Sequence, residues 1–147
     1  MKTALCLFTL IFAILGSAAE KLYFSYGEVH AMGGYPMVGI GIRAQKNIHA
    51  VDFSANTCPL NPPKSLIVFH LRALYLIYPA REGLYLGAGL GFLNEPETIK
   101  RSSGSFESAL GYQWKNRIFL EGNAIVPFKK SDILPPIWPG LSLGFGF

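Results

Sequence analysis

Long apolar runs are missing from this sequence. The one sustained stretch, Ala4 to Leu15, is too short for an ordinary membrane-spanning helix. Cysteine is nearly absent. Only Cys6 and Cys58 are present, and Cys6 lies inside the N-terminal apolar segment, so a disulfide scaffold is excluded. Charge is sparse at 15%, with a formal net charge of +4. That weak basic balance suits anionic lipid headgroups and is not the signature of a nucleic-acid binder. The histidines are His30, His49 and His70, no pair has metal-ligand spacing, and Cys58 stands alone. No metal and no cofactor are therefore expected.

Apolar and aromatic residues are abundant instead. Hydrophobic content is 50%, aromatics 14% and mean hydropathy +0.31. The first 19 residues read as a secretory signal. Lys2 is the basic start, Ala4 to Leu15 the apolar stretch, and Ser17-Ala18-Ala19 the small residues before cleavage ahead of Glu20. An uncleaved anchor is the competing reading, disfavoured by the polar Glu20-Lys21 that follows at once. Residues 20–147 are expected to form one domain. A transmembrane β-barrel explains apolar content this high without a spanning helix, since its outer face is apolar while each strand stays short.

Eight segments alternate with period two, which helices do not produce. The first, near Leu22 to Val29, sets Leu22, Phe24 and Tyr26 against Ser25 and Gly27. The second, Met37 to Gln45, sets Val38, Ile40 and Ile42 against Gly39, Gly41 and Arg43. The third spans His49 to Asn56, the fourth Leu66 to Tyr78, the fifth Leu84 to Phe92, the sixth Ser105 to Lys115, and the seventh Arg117 to Val126. The last carries Leu141, Leu143, Phe145 and Phe147 on one face and Ser142, Gly144 and Gly146 on the other. Short connections at Lys46-Asn47-Ile48, Pro79 to Gly83 and Lys115-Asn116-Arg117 alternate with longer ones at His30 to Pro36, Thr57 to Ser65, Leu93 to Gly104 and Pro127 to Pro139. Such alternation is expected of an all-β, eight-stranded, antiparallel up-and-down transmembrane barrel. Its short turns would face the periplasm and its long loops the outside.

Volume says which face points out. The interior of an eight-stranded barrel is only just wide enough for side chains to fill. The large apolar set does not fit there, whereas the opposite set of Gly, Ala, Ser and a few charges does. The lumen is therefore expected to hold a polar network of Arg43, Asp52, His70, Arg72, Glu107 and Glu121, with Lys115 and Arg117 on the same face. No charge falls on the outward set. Aromatic girdles are expected at both rims: Tyr78, Trp114 and Phe147 at the periplasmic one, Phe92, Phe106, Phe128 and Trp138 at the outer one.

With this architecture the chain resembles the small eight-stranded outer-membrane barrels of the OmpA and OmpX type. The final strand, with Leu143, Phe145 and Phe147, looks like the signal read by the barrel-assembly machinery. The Gly-rich strands Val38 to Ile42 and Leu84 to Phe92 also resemble small barrels of chlamydia-like bacteria. The resemblance implies a monomer in the cell outer membrane, in contact with its lipid and lipopolysaccharide, and no nucleic-acid partner. No peptidoglycan-binding domain accompanies the barrel, so tethering to the cell wall is not carried over.

Catalytic signals are few, and no catalytic residue is assigned. Ser108 is a candidate nucleophile for the alternative reading, a lipid-modifying barrel enzyme, but no outward histidine accompanies it at the outer rim. Gly87 to Gly91 resembles a dinucleotide fingerprint but sits within a strand with no helix after it. The loop from Pro127 to Pro139, carrying Lys129, Lys130 and Trp138, is a candidate recognition surface. The expectation is a structural or surface-interaction barrel without a wide pore. A secreted, soluble lipid-binding barrel is the third reading.

Overall fold

A computed structural model describes residues 21–32, 35–59, 69–80, 83–94, 102–115, 117–129 and 136–147. The expected signal segment lies outside them. Eight strands follow in chain order: β1 (Lys21–Met32), β2 (Tyr35–Lys46), β3 (His49–Thr57), β4 (Phe69–Ile77), β5 (Gly83–Asn94), β6 (Ser102–Gln113), β7 (Ile118–Pro127) and β8 (Trp138–Gly146). Each pairs antiparallel with its sequence neighbours, and β1 pairs with β8 to close the barrel. Closure leaves no free sheet edge over most of the wall. The expected part of β4 before Phe69 lies outside the described residues.

The termini of the sheet and the β2–β3, β4–β5 and β6–β7 connections share one end, here called the turn end. Between β2 and β3 two residues reverse the chain, and Asn47 takes a positive φ of 56°. Asn tolerates that left-handed conformation because its short polar side chain bonds locally. Arg117 does the same between β6 and β7 at φ 63°, its N–H donating to Trp114 O at 3.0 Å.

The first of the supposed long loops is corrected. His30 and Pro36 are both within strands, and only residues 33–34 separate β1 from β2. Alternation of short and long connections is therefore incomplete.

The apolar set faces outward on β2 to β8, with Ile40, Leu86, Leu90, Leu110, Leu141 and Phe145 all exposed. On β1 the assignment of faces is reversed. Phe24 and Tyr26 are buried in the lumen, while Ser25 and Val29 point out. The cause is volume supplied by neighbouring strands. Tyr26 pairs across the sheet with inward Gly41, Tyr85 with Gly111, and Phe119 with Gly144. A methyl group on any of these glycines would overlap the ring beside it. Glycine here is the absence of a side chain, which lets three rings lie flat in a narrow lumen.

Candidate lumenal network

The lumen is layered. At the loop end Met32, Met37, Leu93, Ile125 and Trp138 form an apolar plug. At the turn end Tyr78, Tyr85 and Leu76 pack with Ala50, Leu74 and Ala109, beside a second group of Phe24, Tyr26 and Phe119. Charged groups lie between these apolar layers.

Arg43 and Asp52 are cross-strand partners on β2 and β3, and Arg43 Nε donates to Asp52 Oδ2 at 2.7 Å. The same guanidinium donates to Gln113 Oε1 at 3.1 Å and Tyr78 Oη at 3.2 Å. It also lies over the rings of Phe119 at 4.3 Å and Tyr85 at 4.8 Å. Arg72 bonds Glu121 through Nη1 and Ser54 Oγ through Nε at 2.9 Å. Its Nη2 lies 3.6 Å from both Glu28 Oε2 and Asp52 Oδ1. Tyr26 and Tyr85 complete the set, donating to Asp52 and Glu121 at 2.8 Å each. Arg43, Asp52, Arg72 and Glu121 are thus one network, all with fully buried side chains. Interlocked pairing of this kind is what makes buried charge tolerable, because each ion's lost hydration is replaced by fixed partners.

His70 and Glu107 form a separate pair, with Nε2 and Oε1 2.6 Å apart. Ser105 also donates to that carboxylate oxygen at 3.0 Å. Facing it, His30 contacts Ser142 Oγ at 3.1 Å, and the two imidazole rings meet edge-on at 6.0 Å. Among the described residues no three His, Cys, Asp or Glu side chains converge as a metal-binding group.

Four residues are placed differently from their expected positions. Tyr78 is buried and donates to Gln113 at 2.8 Å, so it belongs to the lumen and not to an outward girdle. Lys115 and Arg117 lie in the β6–β7 turn, after the end of β6 and before the start of β7, not within a strand. Trp138 is the first residue of β8 and is buried in the plug, not displayed on a loop. The strand begins before the alternating Leu141 to Phe147 pattern, and Pro139 hid that start because proline reads as loop. Of the remaining loop candidates, Lys129 is exposed, its N–H donating to Ser103 Oγ at 3.3 Å, and Lys130 lies outside the described residues.

Glu28 and Asn56 were missed. Asn56 donates to Glu28 Oε1 at 2.8 Å and to Ser54 Oγ at 3.3 Å. A signal for Glu28 was present, because it shares β1 parity with Phe24 and Tyr26. A carboxylate on that face is incompatible with an apolar outer wall. Leu143, Phe145 and Phe147 face outward, and Phe147 N–H donates to Ser25 O at 2.9 Å across the β1–β8 seam. Ser108 also faces outward, in register between Ala88 and Ala124.

The fold and lumen define a closed eight-stranded antiparallel barrel with a side-chain-filled interior. Comparison with protein-family models, curated proteins and solved structures finds no match to the chain.

Proposed function

We propose that this chain is a transmembrane barrel of the cell outer membrane, exported by its N-terminal signal, with a structural or surface-interaction role and no wide pore. One observation carries the reading: the barrel is inside out relative to a water-soluble one. Its outer wall displays Ile40, Leu86, Leu90, Leu110 and Phe145, while Arg43, Asp52, Arg72 and Glu121 are buried within. Monomeric soluble proteins rarely expose a contiguous apolar surface of this kind. A soluble lipid-carrying barrel would need the opposite arrangement. Outward aromatics support a bilayer too. Tyr75, Tyr112 and Trp114 lie toward the turn end, and Phe92, Phe106 and Phe128 toward the loop end. In this reading Leu143, Phe145 and Phe147 serve the barrel-assembly machinery. The architecture also keeps the likeness to OmpA- and OmpX-type barrels.

Purified protein mixed with preformed phospholipid vesicles is expected to insert and give a heat-modifiable band on gels. Planar-bilayer recordings are expected to show at most small, infrequent openings, because charged and aromatic side chains cross the lumen at every level. Failure to insert would end the membrane reading. A steady porin-sized conductance would end the plugged-lumen reading.

Topology is tested through Cys58, the only described thiol, at the loop end just past β3. A membrane-impermeant maleimide is expected to label it on intact cells. Ile48→Cys in a Cys58→Ser background places a thiol at the turn end, where Ile48 is exposed. That site is expected to label only after the outer membrane is permeabilised. The reverse pattern would invert the proposed orientation.

A further inference from the structure

The chain has three methionines, and the two beyond Met1 stand together. Met32 and Met37 are buried in the loop-end plug with Trp138. Methionine often does no more than fill an irregular gap in a core. Here a buried imidazole borders the two thioethers. Met37 is the cross-strand partner of His30, and Met32 follows His30 by two residues on the same inward face of β1.

His30 is fully buried, and its Nε2 has no hydrogen-bond partner. The ring is oriented from β8. His30 Nδ1 lies 3.1 Å from Ser142 Oγ, which also accepts from Asn123 Nδ2 at 3.3 Å. Nε2 is turned toward Gly140, where a Cβ would lie 2.8 Å from it and would collide with Asn123 Oδ1. Gly140 is the cross-strand partner of Met32, one step nearer the loop end than Ser142, the partner of His30. The bare nitrogen is therefore directed along the lumen to the level of Met32. Asn123 Oδ1 borders the same niche and is also unpartnered. Glu107, the cross-strand partner of the plug's Ile125, brings a carboxylate to the edge of this space, and its Oε2 has no partner either.

A purely apolar plug has no use for a buried imidazole nitrogen without a partner, which is costly to bury. Two thioethers and an imidazole form a soft donor set, and thioethers select copper(I) over the oxygen-seeking ions such as magnesium and calcium. With Nδ1–H donating to Ser142 Oγ, the lone pair falls on Nε2, the arrangement that a metal-bound histidine needs. Glu107 offsets the charge of a cation. We propose that the loop-end plug binds one soft monovalent metal ion, of the copper(I) class, through the thioethers of Met32 and Met37 and Nε2 of His30. The site belongs to the lumen alone, so it goes beyond the membrane reading and does not depend on it. Histidine and cysteine spacing carried no trace of it, because two of the three donors are thioethers and the set is split between β1 and β2.

The probe is silver(I), a soft monovalent ion that needs no reductant, titrated into detergent-purified barrel. Cys58 follows the last residue of β3 at the same end and is the competing soft ligand, so Cys6→Ser and Cys58→Ser are introduced first. Native mass spectrometry and calorimetry of this thiol-free barrel are expected to show one silver ion per chain and no uptake of magnesium or calcium. Copper(I) held reduced with ascorbate is expected to compete with it. X-ray absorption of the bound ion is expected to show sulfur neighbours, which without thiols only methionine can supply. Met32→Leu with Met37→Leu keeps the volume of the plug, a swap that cores tolerate. It is expected to weaken silver binding at least roughly tenfold, the least that losing even a partner outside the ligand sphere produces. His30→Gln is expected to weaken it as well, and the heat-modifiable band checks that each variant is folded. No uptake by the thiol-free barrel, a bound ion without sulfur neighbours, or binding unchanged in the double leucine variant overturns the proposal. Uptake by the native chain that disappears with Cys58→Ser alone assigns the ion to the thiol and overturns it too.

Discussion

Arg72→Met is expected to cost about 3–5 kcal/mol of unfolding free energy, the cost of leaving a buried ion without its partner. Arg72 is the common counter-ion of three acids: it bonds Glu121 and lies 3.6 Å from both Glu28 and Asp52. Asp52 keeps Arg43 at 2.7 Å and Tyr26, and Glu121 keeps Tyr85. Glu28 keeps only the neutral amide of Asn56 among its hydrogen bonds, so the loss falls hardest there. Adding Glu28→Gln to Arg72→Met is expected to recover part of the loss, since one uncompensated charge is removed. Arg72→Lys is expected to fall between wild type and Arg72→Met, because an ammonium is a point charge and cannot span Ser54 and Glu121 as the guanidinium fork does. Urea unfolding in detergent micelles, followed by the heat-modifiable band, measures all three. A midpoint for Arg72→Met equivalent to within about 0.5 kcal/mol of wild type would show that the network does not hold the barrel together.

Gly144→Val is expected to be the second severe change, destabilising by about 1–3 kcal/mol or more through overpacking. The branched side chain would enter the space of the Phe119 ring, which is paired with Gly144 across β7 and β8. That ring has little freedom to move. It meets Tyr26 edge-on at 4.9 Å, and the Arg43 guanidinium lies 4.3 Å from its centre. Phe119→Ala alone is expected to cost about 3–5 kcal/mol by leaving a cavity. Combined with Gly144→Val the costs are expected not to add, with a coupling of about 1–2 kcal/mol in favour of the double variant. Strict additivity in the same unfolding assay would show that the glycine and the ring do not share one space.

The same pairing explains where sequence reasoning failed on β1. Period two separated Phe24 and Tyr26 from Ser25 and Gly27 correctly. It did not say which set faced in, because bulky aromatics were taken to belong outside. Their inward position depends on Gly41 and Gly146, which β2 and β8 bring alongside Tyr26. Lumenal volume at one residue is set by residues on two other strands, and a single strand carries no record of that. Trp138 was misplaced for a related reason. Its burial requires Met32, Met37, Leu93 and Ile125 to converge at the loop end from β1, β2, β5 and β7.

The six lumenal residues named from sequence alone, Arg43, Asp52, His70, Arg72, Glu107 and Glu121, are all buried and inward-facing. A charge within an otherwise apolar alternation has only one tolerable face, so parity was enough. Their division into an Arg–carboxylate network and a His70–Glu107 pair was not legible. Arg43 and Asp52 happen to be cross-strand partners, but Arg72 and Glu121 lie 49 positions apart and meet only across the lumen.

By itself, then, the sequence determined the strand number, the approximate strand limits and the inward parity of Arg43, Asp52, His70, Arg72, Glu107 and Glu121, because these follow from local alternation and the high cost of burying charge unpaired. Only the tertiary structure decided the orientation of β1, the two-residue link to β2, the partners within the lumen and the plug at the loop end. Those depend on ring closure, which fixes the stagger of all eight strands together and so decides which distant side chains share one narrow interior.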